Sequence, residues 1–205
     1  MNRRADVLDA ALVVAATRGV AAMSMRAVAD QVGLTVMGLY RHVRDKDDLL
    51  DGLVGRTLAE IDLPADDQPW ELRLRAITSQ LLTLAGRYPT VMPLLLTRAY
   101  SAPDAVAVVD ALHRVLGDAG VAADQIPRLE RLISTFTLGY AVAAANNGFW
   151  ADPTATSPPT DPVRVAGPDD AAPHDPNAAT SIEAWAADFD ADITDLIQLI
   201  RGVVR

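Results

Sequence analysis

The chain has 205 residues, half of them hydrophobic, which is enough for one large or two small domains with a sizeable core. It contains no cysteine, which excludes disulfides and zinc–thiolate sites, and no run of eighteen apolar residues predicts a membrane span. Asp6 and Asp9 interrupt the apolar pattern that a secretory leader needs, so we expect a soluble, cytoplasmic protein without a membrane partner.

Charge is distributed unevenly along the chain. The net charge is −9 in total, but residues 1–56 carry +1 and residues 57–205 carry −10. An acidic total argues against nucleic-acid binding only if the acid lies on the binding surface. A local basic surface in the near-neutral N-terminal part therefore remains compatible with DNA.

The N-terminal part reads as helical throughout. Apolar residues recur at helical spacing in four segments, about residues 3–18, 25–32, 36–43 and 46–58. Ser24, Thr35 and Asp45 are suitable N-caps for the last three segments, because their side chains can accept from free backbone N–H groups. Gly19 and Gly33 follow helices as stops, where a left-handed backbone conformation is favourable for glycine.

The remainder also lacks a convincing strand, and the predicted fold is all-α. Helices are predicted at about 70–87, 89–100, 103–118, 127–149 and 181–204. The polar break 64–69 suggests a boundary between an N-terminal domain, residues 1–60, and a C-terminal domain, residues 61–205. Seven of the thirteen prolines lie in residues 151–181, which predicts a long loop there.

Residues 24–43 have the layout of a helix-turn-helix, two short helices joined by a three-residue turn with glycine. Ala29 is small enough for the two helices to cross closely, and Gly33 suits the turn. One face of the second helix is then free to enter a DNA major groove. The plainer alternative is a small three-helix core with surface charges.

The free face and its flanks provide the candidate contacts to double-stranded DNA. The start of the recognition helix is where base edges are usually approached, and residues further along or on adjoining helices reach phosphates. The candidate residues are Arg26, Thr35, Val36, Met37, Gly38, Tyr40, Arg41, His42 and Lys46.

Residues 39–50, LYRHVRDKDDLL, resemble the signature Leu-Tyr-x-His-Val/Phe-x-x-Lys-x-x-Leu-Leu of the tetracycline-repressor (TetR/AcrR) family of bacterial regulators. The likeness covers about residues 3–60. It implies an N-terminal three-helix helix-turn-helix domain and DNA contacts from the matching residues Arg26, Thr35, Tyr40, His42 and Lys46. The other candidates occupy positions that vary between family members.

The C-terminal part resembles the tetracycline-repressor subfamily. Residues 136–140, FTLGY, are similar to a motif in that subfamily's dimerising eighth helix, and Trp70 opens a helix at the expected distance. The resemblance implies a homodimer in which the 134–147 helix and the C-terminal helix of each subunit form a four-helix bundle. It also implies an inducer pocket in a C-terminal ligand-binding domain.

The expected pocket is apolar, unlike the magnesium–tetracycline site of the family's namesake. Its tentative residues are Ile77, Leu81, Met92, Leu95, His113, Phe136, Tyr140 and Asn147. Ordinary core packing explains the aliphatic members equally well. His113 lies three residues after Asp110, and a solvated or core-edge histidine is the favoured interpretation. We therefore expect a hydrophobic small-molecule effector of unknown identity, or none.

These features predict a ligand-responsive DNA-binding transcriptional regulator, a repressor released from its operator by a small hydrophobic effector. The alternatives are a regulator without an effector and an interaction module that has lost DNA binding. Because no nucleophile elbow, phosphate loop or metal-binding helix motif is present, we expect no enzymatic activity, no cofactor and no metal.

Overall fold

The computed structural model describes residues 3–98, 103–145 and 178–204, and these residues form helices and connecting turns without a strand. The all-α prediction is confirmed. The helices are α1 (Arg3–Arg18), α2 (Met25–Val32), α3 (Val36–Leu39), α4 (Lys46–Leu58), α5 (Trp70–Arg87), α6 (Met92–Thr97), α7 (Pro103–Asp118), α8 (Ile126–Ala145) and α9 (Ala178–Val204).

Helix α3 is shorter than the sequence pattern predicted. Regular helix ends at Leu39 rather than at Val43. Beyond it the backbone tightens, because Arg41 N–H donates to the Gly38 carbonyl and His42 N–H to the Leu39 carbonyl, three residues back. The segment from Tyr40 to His42 is therefore a turn that extends the helix by about one more revolution.

Two other helix starts were misplaced. Helix α6 begins at Met92, not at Pro89, because Val91 and Met92 both donate to the Tyr88 carbonyl and form a turn first. Helix α9 begins at Ala178, within the predicted loop. The rest of that loop and the predicted end of α8 lie outside the described residues.

The buried side chains form two adjoining clusters. The N-terminal core joins α1–α4 to the second half of α5 and to α6, and its members include Val7, Ala11, Val28, Leu39, Leu49, Leu53, Leu84 and Met92. The C-terminal core joins the first half of α5 to α7, α8 and α9, with Leu74, Leu116, Leu129, Phe189 and Ile193 among its members. Because the N-terminal core extends into α5 and α6, the division at residue 60 stays a prediction.

A buried arginine fastens the α4–α5 connection to the C-terminal core. Arg73 on α5 is 1% exposed, and its Nη1 donates to the Asp66 carbonyl at 2.8 Å and to Asp118 Oδ2 at 2.7 Å. Removal of a guanidinium from water is costly unless it is paired and hydrogen-bonded. Asp118, at the end of α7, supplies the closer ion pair, and Asp66 Oδ1 lies 3.9 Å from Nη2.

We expect Asp118→Asn to lower the free energy of unfolding by about 1–2 kcal/mol, because the buried guanidinium loses its closer carboxylate and keeps only Asp66 Oδ1, at 3.9 Å from Nη2. The side chain of Asp118 is 59% exposed, which keeps the loss below that of a fully buried pair. Urea unfolding followed by circular dichroism measures the change. Asp124→Asn removes a carboxylate whose described side-chain bond is only to its neighbour Gln125, and equal losses in the two variants would contradict the assignment.

Candidate functional site

Three local features fix the backbone of the helix-turn-helix: two side-chain N-caps and a left-handed glycine in the turn. Ser24 Oγ accepts from Ala27 N–H at 3.1 Å at the start of α2, and Thr35 Oγ1 accepts from Gly38 N–H at 3.0 Å at the start of α3. Between them, Gly33 adopts φ +72° and ψ +34°, the left-handed conformation that favours glycine. The turn then closes with Leu34 N–H on the Ala29 carbonyl at 2.9 Å.

Helix α3 presents a low surface at its first turn. An added Cβ at Gly38 would lie 3.2 Å from Thr35 Oγ1, so a side chain there would press on the capping hydroxyl. Met37 beside it is 76% exposed, the largest value among the exposed large hydrophobic side chains of the described chain. Leu39 is fully buried and anchors the helix to the N-terminal core.

The nine predicted DNA-contacting residues lie on α2, at the N-cap of α3, on α3, in the turn after it, or at the start of α4. Six are exposed and three are half-buried. The exposed residues are Arg26, Thr35, Met37, Tyr40, Arg41 and Lys46, and the half-buried residues are Val36, Gly38 and His42. Val36 packs partly against the N-terminal core, which leaves only part of its side chain on the surface.

Exposed cations on this face are available for a ligand. Within the described part of the chain, the side chains of Arg26, Arg41 and Lys46 make no ion pair or hydrogen bond. Sequence reasoning missed a fourth cation, Arg44, which is exposed and makes only a 3.8 Å ion pair with Asp48. Its signal was present, since Arg44 lies between Arg41 and Lys46 in the recognised signature.

The sequence also did not reveal an ion pair, Arg4–Asp48, that positions the turn after α3. Arg4 on α1 donates to Asp48 Oδ1 at 2.8 Å, to Asp48 Oδ2 at 3.2 Å and to the His42 carbonyl at 2.6 Å. Asp48 also accepts from Arg44 N–H at 2.8 Å. The pair therefore fixes the turn after α3 to both α1 and α4.

The electrostatics of Asp48 follow from these contacts. The Arg4 guanidinium lowers the pKa of the Asp48 carboxyl below its ordinary value of 3.8, partial burial opposes the shift, and the Arg44 N–H adds to it. The carboxylate is therefore charged under all near-neutral conditions.

An apolar cavity lies where α4, α5, α6, α7 and α8 meet. Its wall consists of aliphatic side chains and three hydroxyl-bearing ones: Leu58, Ile77, Thr78, Leu81, Leu95, Ala105, Val108, Val109, Leu112, Ile133, Ser134, Thr137 and Leu138. The free space is about 40 Å³, well below the 300 Å³ or more of a typical small-molecule site. An occupant would have to displace side chains of the wall.

The structure divides the tentative pocket residues. Ile77, Leu81 and Leu95 line the cavity. Met92 is fully buried in the N-terminal core, and His113 is half-buried on α7 without lining the cavity. Asn147 lies outside the described residues. Whether any of them contacts an effector stays a prediction.

The two aromatic members of that set belong to a separate ring cluster. Phe136 stacks on Phe189 with ring centroids 6.1 Å apart, and Tyr140 lies 4.9 Å from Phe189. Burial, followed by the carboxylates of Asp192 and Asp188, raises the pKa of Tyr140 to about 12. This cluster fastens α9 to α8.

The cavity and the helix-turn-helix are connected through α4. Leu58, the last residue of α4, forms part of the cavity wall. Arg98, directly after α6, donates to Asp47 Oδ1 at 2.8 Å and to Asp51 Oδ1 at 2.7 Å, both on α4. A displacement of the cavity wall would therefore reach α4 in two ways, through Leu58 and through the bonds from Arg98. Helix α4 itself starts close to the turn after α3.

The described residues contain neither a metal-binding cluster nor a membrane-spanning helix. No cluster of three or more histidine or acidic side chains could hold a metal ion. Within the same three ranges, no helix is both long enough and apolar enough to cross a bilayer.

Family models match both parts of the chain. The model for bacterial regulatory proteins of the tetR family matches residues 7–53, and the model for the tetracyclin repressor-like C-terminal domain matches residues 63–188. The chain belongs to this family. The fold and the helix-turn-helix assignment made from the sequence are thereby confirmed.

Relatives with similar sequences are named as transcriptional repressors. DrrR1 of Streptomyces coeruleorubidus is 34% identical over 112 residues, covering 54% of this chain and 40% of DrrR1. KstR of Mycobacterium tuberculosis is 32% identical over 151 residues, covering 71% of this chain and 60% of KstR. The matches thus span only 40% to 60% of these relatives' lengths.

Solved structures share the fold at low identity. ActR of Streptomyces coelicolor in complex with actinorhodin has a TM-score of 0.73 and 19% identity, covering 98% of this chain and 97% of ActR. BioQ with its double-stranded DNA operator has a TM-score of 0.63 and 22% identity, covering 70% of this chain and 87% of BioQ. At these identities the likeness establishes the helical architecture alone.

We expect the Arg4–Asp48 ion pair to make the free energy of unfolding depend on pH in the acidic range. Since the folded-state pKa of Asp48 is lowered, its contribution is present above the unfolded value of 3.8 and is lost as the pH falls through the folded value. Asp48→Asn should lower the free energy of unfolding by about 1 kcal/mol near neutral pH, and this difference should shrink as the pH falls below 3.8.

Urea unfolding of the wild type and Asp48→Asn across this pH range measures the effect. Asp30→Asn is the matched control, since Asp30 is exposed on α2 and its side chain has no ion-pair partner among the described residues. A constant gap between wild type and Asp48→Asn at every pH would contradict the proposed ion pair.

Proposed function

We propose that the protein is a homodimeric transcriptional repressor that binds an operator through α2 and α3 and is released by a small hydrophobic effector in the apolar cavity. The observation that carries this proposal is the placement of Leu58, because the last residue of α4 is also part of the cavity wall. A molecule seated there would touch the helix whose first turn adjoins the DNA-facing residues.

The DNA contacts divide by chemistry. Met37 is highly exposed at the start of α3 beside the low surface of Gly38, which suits contact with base edges such as a thymine methyl group. Arg41, Lys46 and Arg26 have no competing side-chain partner in the described residues and suit phosphates. Such contacts would overcome the acidic total charge because the acid lies mainly beyond residue 56.

Thr35, Tyr40 and His42 complete the set that we propose to contact phosphates. The Thr35 hydroxyl already accepts from Gly38 N–H, so its own proton is free to donate. Tyr40 is exposed, while His42 is half-buried and held through its carbonyl by Arg4. The Arg4–Asp48 pair would therefore position these contacts without making one itself.

Release would proceed through α4. An effector larger than the free space must push Leu58 and the α6 and α8 walls apart, and Arg98 links the end of α6 to Asp47 and Asp51. A displacement of α4 would alter the distance between the two helix-turn-helix units of a dimer. Differential affinity of the effector for the two arrangements would then set the fraction of protein on DNA.

Dimerisation through α8 and α9 is supported by exposed apolar side chains on both helices. Leu132 on α8 and Leu199, Val203 and Val204 on α9 are each 41% to 48% exposed. Apolar surface shared by two neighbouring helices is a common mark of an interface. We propose that it closes on its own copy as a four-helix bundle in the bacterial cytoplasm, with residues 1–60 as the DNA-binding domain and 61–205 as the effector and dimerisation domain.

Loss of single cations should weaken operator binding. We expect Arg41→Ala and Lys46→Ala each to lower DNA affinity about five- to tenfold and to reduce the slope of log affinity against log salt by about one. The assay is fluorescence anisotropy at several salt concentrations, with a fragment selected by the wild type from genomic DNA. Arg114→Ala removes the same charge from α7 and should leave binding unchanged.

Two results of this assay would distinguish operator binding through the assigned face from its alternatives. Failure of the dimer to select any fragment would contradict operator binding and favour an interaction module. Selective binding that is unaffected by either substitution would contradict the assigned contact face.

The dimer proposal is tested by charge insertion. We expect Leu199→Glu to convert the protein to monomers at micromolar concentration, because a buried glutamate facing its own copy has no partner. Light scattering coupled to gel filtration measures the mass. Leu72→Glu is the matched control, since Leu72 is 54% exposed on α5. A dimer that persists in Leu199→Glu would place the interface elsewhere.

A further inference from the structure

Thr137 on α8 is buried in the cavity wall without a hydrogen-bond partner. It is 3% exposed, and its Oγ1 makes no hydrogen bond. A buried polar atom that has lost water and gained no partner is costly to the folded protein. A native structure that retains such an atom beside a cavity points to a partner that is bound only some of the time.

The hydrogen bonding of Thr137 differs from that of most other helical threonines among the described residues. A threonine in a helix commonly donates to the carbonyl four residues earlier. The threonines that do so here are Thr17, Thr57, Thr78, Thr83, Thr97 and Thr194. Thr137 has the same option at the Ile133 carbonyl and does not use it, so its hydroxyl remains available to a molecule in the cavity.

The remaining wall limits the chemistry of that molecule. No lining residue carries a charge or an aromatic ring. A charged group would enter this space without a counter-charge, which is strongly unfavourable. A flat aromatic system would find no ring to stack against. Thr78 also lines the cavity, but its hydroxyl is already bonded to the Leu74 carbonyl at 2.9 Å.

A surface groove adjoins the cavity. Leu95, Ser134 and Leu138 line both the cavity and an open groove of about 530 Å³ that also touches Arg98 and Arg131. Displacement of these shared side chains would open the cavity to the groove between α6 and α8. Because the free space inside is about 40 Å³, its occupation would displace the wall, Leu58 included.

We propose that the effector is an uncharged, mainly aliphatic molecule whose one buried oxygen hydrogen-bonds to Thr137 Oγ1. This inference rests on the proposed function, in which the cavity receives the effector. It adds the chemical class of the ligand and the residue that selects it.

The test uses three probes of similar size on the full chain: 1-octanol, octanoate and 2-naphthol. By isothermal titration calorimetry we expect 1-octanol to bind at least about tenfold more tightly than the charged and the aromatic probe. Thr137→Val should weaken 1-octanol binding about tenfold, since it removes the hydroxyl and keeps the shape. Thr57→Val removes a buried hydroxyl that is bonded to the Leu53 carbonyl and does not line the cavity, so this variant should bind 1-octanol like the wild type.

A second readout needs no ligand. Thr137→Val removes an unpaired buried hydroxyl and should raise the melting temperature of the free protein by about 2–4 °C, whereas Thr78→Val removes a formed hydrogen bond and should lower it. Equal destabilisation by both substitutions would overturn the claim that Thr137 is unsatisfied.

Anisotropy with the selected DNA fragment separates this inference from the proposed function. If 1-octanol binds through Thr137 but leaves DNA binding unchanged, the ligand class stands and effector-controlled release fails. If no probe binds, if octanoate or 2-naphthol binds as tightly as 1-octanol, or if Thr137→Val binds 1-octanol normally, the inference is overturned while DNA binding is unaffected.

Discussion

Burial of α4 on two sides is the constraint on which both candidate sites depend. Leu49 and Leu53 are fully buried in the N-terminal core, and Leu58 at the far end closes the cavity. Close-packed interiors transmit a displacement because they contain little free space to absorb it. The ion pairs from Arg98 add a polar connection on the surface of the same helix. One buried helix therefore joins the helix-turn-helix to the cavity, even though the two lie in different parts of the sequence.

Sequence reasoning succeeded where the physical cause is local. Ser24, Gly33 and Thr35 act on backbone groups within a few residues, so capping and turn rules identify them directly. The Arg4–Asp48 pair spans 44 residues of sequence. With 18 basic and 27 acidic residues in the chain, such a pairing is decided by how α1 crosses α4, and no local pattern contains that angle.

The cavity shows the same division between local and long-range causes. An apolar stripe on α5 correctly predicted that Ile77 and Leu81 face inward, but the pattern does not distinguish a cavity wall from a filled core. Met92 has the same pattern and is packed in the N-terminal core. The sequence pattern did not single out Thr137 as a binding residue, because a threonine in an Ala-rich helix is expected to hydrogen-bond to its own helix backbone. Its unpaired state becomes apparent only when every neighbour has been placed.

The small size of the cavity has a consequence for the rate of ligand binding rather than for affinity. An effector cannot enter at the rate of diffusion if its site must first be opened by movement of α6, α8 and Leu58. Association then proceeds at the frequency of that opening, well below the usual encounter rates of preformed sites. The same closure slows escape. A repressor built in this way would respond to an effector that has accumulated and persisted, and would filter out brief fluctuations in its concentration.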